Sequence, residues 1–138
     1  MESNLMIVLQ SAPNAKTLTF TGDTMDIHYL EIVTTQVDDV CDTYTSLTNA
    51  DFSGPVEALG NARTAQLTNG GRIGVRAPMH SEETPAVRSY MLVDDAQAAL
   101  DAAVAKGGEI VHPAFELPGE GIFGIYSQGG IMHGVWQR

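Results

Sequence analysis

From residue 27 onward the apolar positions keep two alternating rhythms. Residues 27–35 are dense in β-branched and aromatic side chains and predict a strand. Val37, Val40, Cys41, Tyr44 and Leu47 then recur at helical spacing. Asp38 and Asp39 fall in the first turn of that helix, where the peptide dipoles favour negative charge. Short strands are expected over 52–56, broken by Gly54-Pro55, and over 62–67 and 72–77. Asn69-Gly70 between the last two is a hairpin signal. Residues 78–85 are polar and aperiodic.

The order then repeats. A strand is expected over 87–93, and Asp94 or Asp95 caps a helix with Ala96, Ala99, Leu100, Ala103 and Val104 on one face. Lys106 and Gly107-Gly108 close it, and three strands follow over 109–115, 122–127 and 131–137. Each half therefore reads β-α-β-β-β. A residue-level echo accompanies the repeat, Ile73-Gly74-Val75-Arg76 against His133-Gly134-Val135-Trp136. The pattern predicts an α+β arrangement with helices on one face of antiparallel-rich sheets. Residues 26–138 read as a single domain of two modules, about 26–80 and 86–138. Residues 1–25 read as an N-terminal extension, either an edge strand carried by Thr17-Leu18-Thr19-Phe20-Thr21 or a disordered arm.

Composition narrows the partners. Seven Lys and Arg against 17 Asp and Glu give a net charge of −10, with no basic run, which disfavours nucleic acid and anionic membrane surfaces. A lone cysteine, Cys41, can build neither an internal disulfide nor a thiolate metal cluster, and its place on the helix predicts a small buried hydrophobe. No apolar run is long enough to span a bilayer, and Leu5-Met6-Ile7-Val8-Leu9 lacks the positive flank of a signal peptide. A soluble, cytoplasmic protein is expected.

In order and spacing, several short motifs resemble the vicinal oxygen chelate superfamily, which includes glyoxalase I, fosfomycin- and bleomycin-resistance proteins and extradiol dioxygenases. They are Tyr29-Leu30-Glu31-Ile32-Val33-Thr34-Thr35 before a helix with Thr43-Tyr44, and Val93-Asp94-Asp95 with Gly107-Gly108. Pro118-Gly119-Glu120-Gly121 and Gly129-Gly130-Ile131-Met132-His133-Gly134-Val135-Trp136-Gln137 complete the set. The resemblance covers about residues 27–137. It implies two βαβββ modules forming a curved, antiparallel-rich sheet cup.

The resemblance also implies where a metal would sit, since superfamily members draw His or Glu ligands from the first and fourth strand of each half. Carried over one at a time, those positions fall on Tyr29, Gly74, Arg88 and Gly134. Tyrosine is an uncommon ligand for such metals, glycine brings no side chain, and arginine has no lone pair to give. No cofactor is therefore expected. His28 lies one residue from the first position and would reach the cup only if the strand slipped by one. If the cup is present, alternation predicts its lining: Tyr29, Glu31 and Val33, then Gly74 and Arg76, Arg88 and Tyr90, and Met132, Gly134 and Trp136. Glu31 is the one carboxylate nominated for acid–base catalysis, with an ion pair to arginine as its other reading. His80, Glu82 and Glu83 read as solvated loop residues, and His112 and His133 as structural.

The reading that follows is a metal-free relative of glyoxalase- and bleomycin-resistance-type proteins, binding a small anionic or carbonyl-bearing organic molecule in its cup. Whether it turns that molecule over is left open. One alternative is a metal-dependent lyase or dioxygenase of glyoxalase type, built around His28 with Zn, Ni, Mn or Fe. A second is a non-catalytic protein-interaction module. A homodimer is expected from the resemblance and from exposed sheet edges. Arg88→Ala is expected to weaken an anionic ligand and leave the melting temperature nearly unchanged.

Overall fold

In the computed structural model, which describes residues 24–138, the first module runs β1 (Ile27–Val33), α1 (Val37–Thr48), β2 (Pro55–Val56), β3 (Ala62–Gln66) and β4 (Arg72–Arg76). The second runs β5 (Ala86–Leu92), α2 (Ala96–Ala105), β6 (Glu109–Leu117), β7 (Gly121–Gln128) and β8 (Ile131–Gln137). Both copies of the β-α-β-β-β order are thus present. The alternative readings of residues 1–25 lie outside the described residues, apart from the last two positions.

All eight strands join one open mixed sheet in the order β2-β3-β4-β1-β5-β8-β7-β6. β1 runs parallel to β4 and β5 parallel to β8, while β1 and β5 pair antiparallel along the seam between the modules. Because successive side chains point to opposite faces, each central strand serves two cores. Ile32 and Val75 pack with Cys41 of α1, and Val135 packs with Ala96 and Leu100 of α2. On the other face Tyr29, Leu59, Ala62, Tyr90 and Trp136 form a separate cluster to which neither α-helix contributes. Cys41 is buried, as expected, and burial pushes its thiol pKa up.

The two helices dock unequally. Asp95 caps α2 by accepting the Ala98 N–H at 3.0 Å, and Gly107 ends it at φ +100°. Gly124 of β7 lets the helix approach, since a Cβ there would lie 2.7 Å from a Leu100 methyl. No side chain caps α1, and Cys41 is its one fully buried residue. An apolar groove of about 790 Å³ remains beside its C-terminal half, lined by Met25, Ile27, Leu30, Tyr44, Phe52 and Ile73 among others.

The strand expected over 52–56 shrinks to Pro55–Val56, which pair with Arg63 and Ala62 of β3. Ser53 instead ties to β3 through its N–H to the Thr64 carbonyl at 2.8 Å. β6 tolerates Pro113 because it is an edge strand, and its register with β7 shifts on both sides of His112.

Candidate functional site

The site is built across the three strands at the seam. Register sets Glu31 of β1 beside Gly74 of β4 and opposite Arg88 of β5, all on the face away from the two α-helices. The buried Glu31 carboxylate accepts from Arg76 Nε at 2.7 Å, Arg88 Nη1 at 2.7 Å and the Tyr90 hydroxyl at 3.0 Å. Arg76 in turn donates both terminal nitrogens to Glu83, at 2.9 and 2.7 Å, and Nη1 also to the Ala77 carbonyl. A four-membered chain results, Glu83–Arg76–Glu31–Arg88, alternating in sign.

Each charge carries the imprint of its neighbours. Arg76 is held above the usual guanidinium range, chiefly by its bonds to Glu83 and with Glu31 adding to them against the opposing effect of burial. Glu83 is pulled down to about 2, first by Arg76 and further by the Met79 N–H that it accepts at 2.7 Å. Tyr29 and Tyr90 both lie well above the ordinary phenol range because they are buried and face the Glu31 charge, so both stay protonated.

Those two phenols also explain the glycines. The Tyr29 hydroxyl fills the space above Gly74, and the Tyr90 ring fills the space above Gly134, so that a Cβ at either glycine would collide with it. These are the positions from which the family resemblance would draw metal ligands. At the four positions β1 brings Tyr29 and β5 brings Arg88, while β4 and β8 bring only glycine. Among the described residues no three His, Cys, Asp or Glu stand together as a metal set. The residues present do not fit a superfamily-type metal centre.

Beyond the tyrosines lies a cavity of about 260 Å³. Tyr29, Glu31, Arg76, Arg88, Tyr90 and Trp136 all reach its wall, as expected from alternation. Gly74 and Gly134 do not, because the tyrosines cover them. Val33 is buried away from the wall, and Met132 is 44% exposed, beyond the end of the cavity, so both leave the lining predicted for them.

The rest of the wall comes from residues that sequence reasoning passed over. Phe123 and Ile125 of β7 and Leu117 of β6 close one side, Leu59 contributes from a single 3-10 turn over Glu57–Leu59, and Met79 from the connection after β4. The alternation of Phe123 and Ile125 carried a signal for this, but the distance of β7 from β1 in the chain gave no reason to join them. His112, expected to be structural, also stands on the wall, its ring stacked on Phe123 at 5.0 Å and its Nδ1 2.8 Å from the Pro113 carbonyl. Glu83, expected in solvent, is anchored by Arg76, whereas His80 and Glu82 are exposed. His133 stacks on Tyr126 at 5.0 Å, a packing role.

His28 sits at an irregularity in the β1–β5 register and leans on the back of Trp136, with ring centroids 5.5 Å apart, off the cavity wall. Its pKa is lowered by burial, then by Arg138 and Arg72. Trp136 is fixed by donating Nε1 to the Glu120 carbonyl at 2.9 Å, and the Glu120 side chain pairs with Arg72. Two buried side-chain atoms of residues that line the cavity have no partner, the Tyr29 hydroxyl and Arg88 Nε. The larger groove beside α1 has no such buried charges or orphaned donors on its apolar walls, which makes the smaller cavity the candidate site.

No protein-family model matches the chain, and no curated protein does. Solved structures do. A hypothetical protein from Bacillus halodurans C-125 superposes with a TM-score of 0.67 at 10% identity, over 84% of this chain and 96% of that one. Methylmalonyl-CoA epimerase from Mycobacterium tuberculosis superposes at 0.61 and 14% identity, over 80% of this chain and 86% of that one. A mutant 4-hydroxymandelate synthase from Streptomyces coelicolor gives 0.64 and 13% over 81% of this chain, which spans 38% of that longer one. The fold shared with them is consistent with the glyoxalase/bleomycin resistance/dioxygenase fold. At such identities the likeness is one of architecture.

Proposed function

We propose that this chain is a metal-free variant of the fold that binds a small organic molecule in its cup. One observation carries the reading: tyrosine side chains fill the space over Gly74 and Gly134, two of the metal-ligand positions, while the cavity-lining residues beside them keep two buried, unpartnered donors, Tyr29 Oη and Arg88 Nε. A buried donor without an acceptor costs about 1–3 kcal/mol, a cost that an acceptor on a ligand would relieve. Three donors converge on the Glu31 carboxylate, from Arg76, Arg88 and Tyr90. Its role in this reading is to hold Arg88 and Tyr90 in position.

Elemental analysis of protein purified without chelator tests the reading. The expected result is no bound metal, and no rise in melting temperature after dialysis against zinc, nickel, manganese or iron. Near-stoichiometric metal would overturn it in favour of a metal-dependent lyase or dioxygenase. A homodimer is proposed with it, read directly by sedimentation equilibrium.

A further inference from the structure

We infer that the cup selects an uncharged ligand that presents a hydrogen-bond acceptor, such as a carbonyl, on a flat aromatic body. This inference rests on the binding function proposed above and concerns the chemistry of that same site.

The charge pattern is the first ground. The acids and guanidiniums of the site balance in charge: Glu31 pairs with Arg88 and Arg76, and Glu83 with Arg76, all at 2.7 Å. Two negative and two positive groups leave no net charge to attract an ion. Arg76 has its Nε on Glu31 and both terminal nitrogens on Glu83, so it offers no fork for a carboxylate or phosphate. An anion entering this cavity would lose its hydration and meet the Glu31 carboxylate behind Arg88.

The second ground is polarity of the opposite kind. Both unpartnered groups are donors, and the buried Tyr29 phenol remains protonated. Competing donors are already committed, Tyr90 Oη to Glu31 and Trp136 Nε1 to the Glu120 carbonyl. What the site lacks is an acceptor, and a neutral carbonyl supplies one without bringing charge. The walls supply the aromatic preference: Tyr90, Phe123 and Trp136 meet one another at centroid separations of 5.4 to 6.2 Å, with His112 stacked on Phe123.

Trp136 is the sole tryptophan of the chain, so its indole N–H gives one resonance that reports directly on the cavity wall. Acetophenone, benzoate and ethylbenzene would be titrated separately into labelled protein at pH 8, where an ordinary histidine is neutral. Acetophenone should bind about tenfold more tightly than either of the others, a difference of about 1.4 kcal/mol. Tyr29→Phe, which keeps the ring over Gly74, should shrink the advantage of acetophenone over ethylbenzene. Tighter binding of benzoate would overturn the preference for a neutral ligand and leave the cup as an organic-molecule site. Equal binding of acetophenone and ethylbenzene would overturn the role of the two donors. If none of the three moves the indole resonance, the binding function itself fails together with the inference.

Discussion

Glu31 is buried among charges, and its surroundings decide what substitutions there must do. The carboxylate balances two guanidiniums at 2.7 Å, so removing either side strands a charge in a poorly solvated place. Glu31→Gln should therefore cost about 3–5 kcal/mol of folding stability in urea titrations. Arg88→Ala belongs in the same range, which replaces the expectation of an unchanged melting temperature. That expectation treated Arg88 as a ligand hook on an otherwise complete wall. Its 8% exposure and its bond to Glu31 make it part of the scaffold as well. At Gly134 an added methyl would meet the Tyr90 ring, and Gly134→Ala should cost about 1–3 kcal/mol through overpacking. Gly54, which has open space around its Cβ position, is the control, and Gly54→Ala should be nearly neutral.

Glu83 gives a prediction in pH. Its carboxyl falls from an ordinary 4.5 to about 2 on folding, so its stabilisation is complete above the higher value and disappears as pH falls toward the lower. Wild type should be more stable than Glu83→Gln at neutral pH, and thermal unfolding should show the gap closing between about pH 4.5 and pH 2. A gap independent of pH would mean that the side chain acts by packing alone. Nothing in the polar run 78–85 distinguished Glu83 from Glu82. The distinction arises because the backbone there folds back to bring Glu83 over Arg76, with the Met79 N–H as a second anchor.

At the level of elements, the helices show how far local signals reach. A cap at Asp94 or Asp95 was legible, each a short acceptor before an alanine-rich apolar stripe, and Asp95 is the one that caps α2. Asp95→Ala should cost about 1 kcal/mol, measured by chemical denaturation. Both helices and most strands were legible from periodicity, because an amphipathic element must match its period to the face it buries. The strand expected over 52–56 was overstated, since only Pro55 and Val56 pair with β3 as a ladder. For β7 the alternation of Phe123 and Ile125 was visible, yet its role in the cavity depended on which strand lay beside which.

Over the whole molecule, two modules meet along the antiparallel β1–β5 pair, and the candidate site straddles that seam. No helix among the described residues is long and apolar enough to cross a membrane. The sequence by itself determined the repeated element order and the α+β class. Both follow from the local period of apolar positions, which must match the face each element buries. Tertiary structure alone decided that Tyr29 and Tyr90 fill the space of Gly74 and Gly134, that Arg76 is spent on two carboxylates, and that His112 and Phe123 join the wall. Those facts depend on rotamers and on contacts between residues distant in the chain, and burial sets their energies. Neither spacing nor composition encodes the partner a buried donor finds, or that Tyr29 and Arg88 each keep one donor without any.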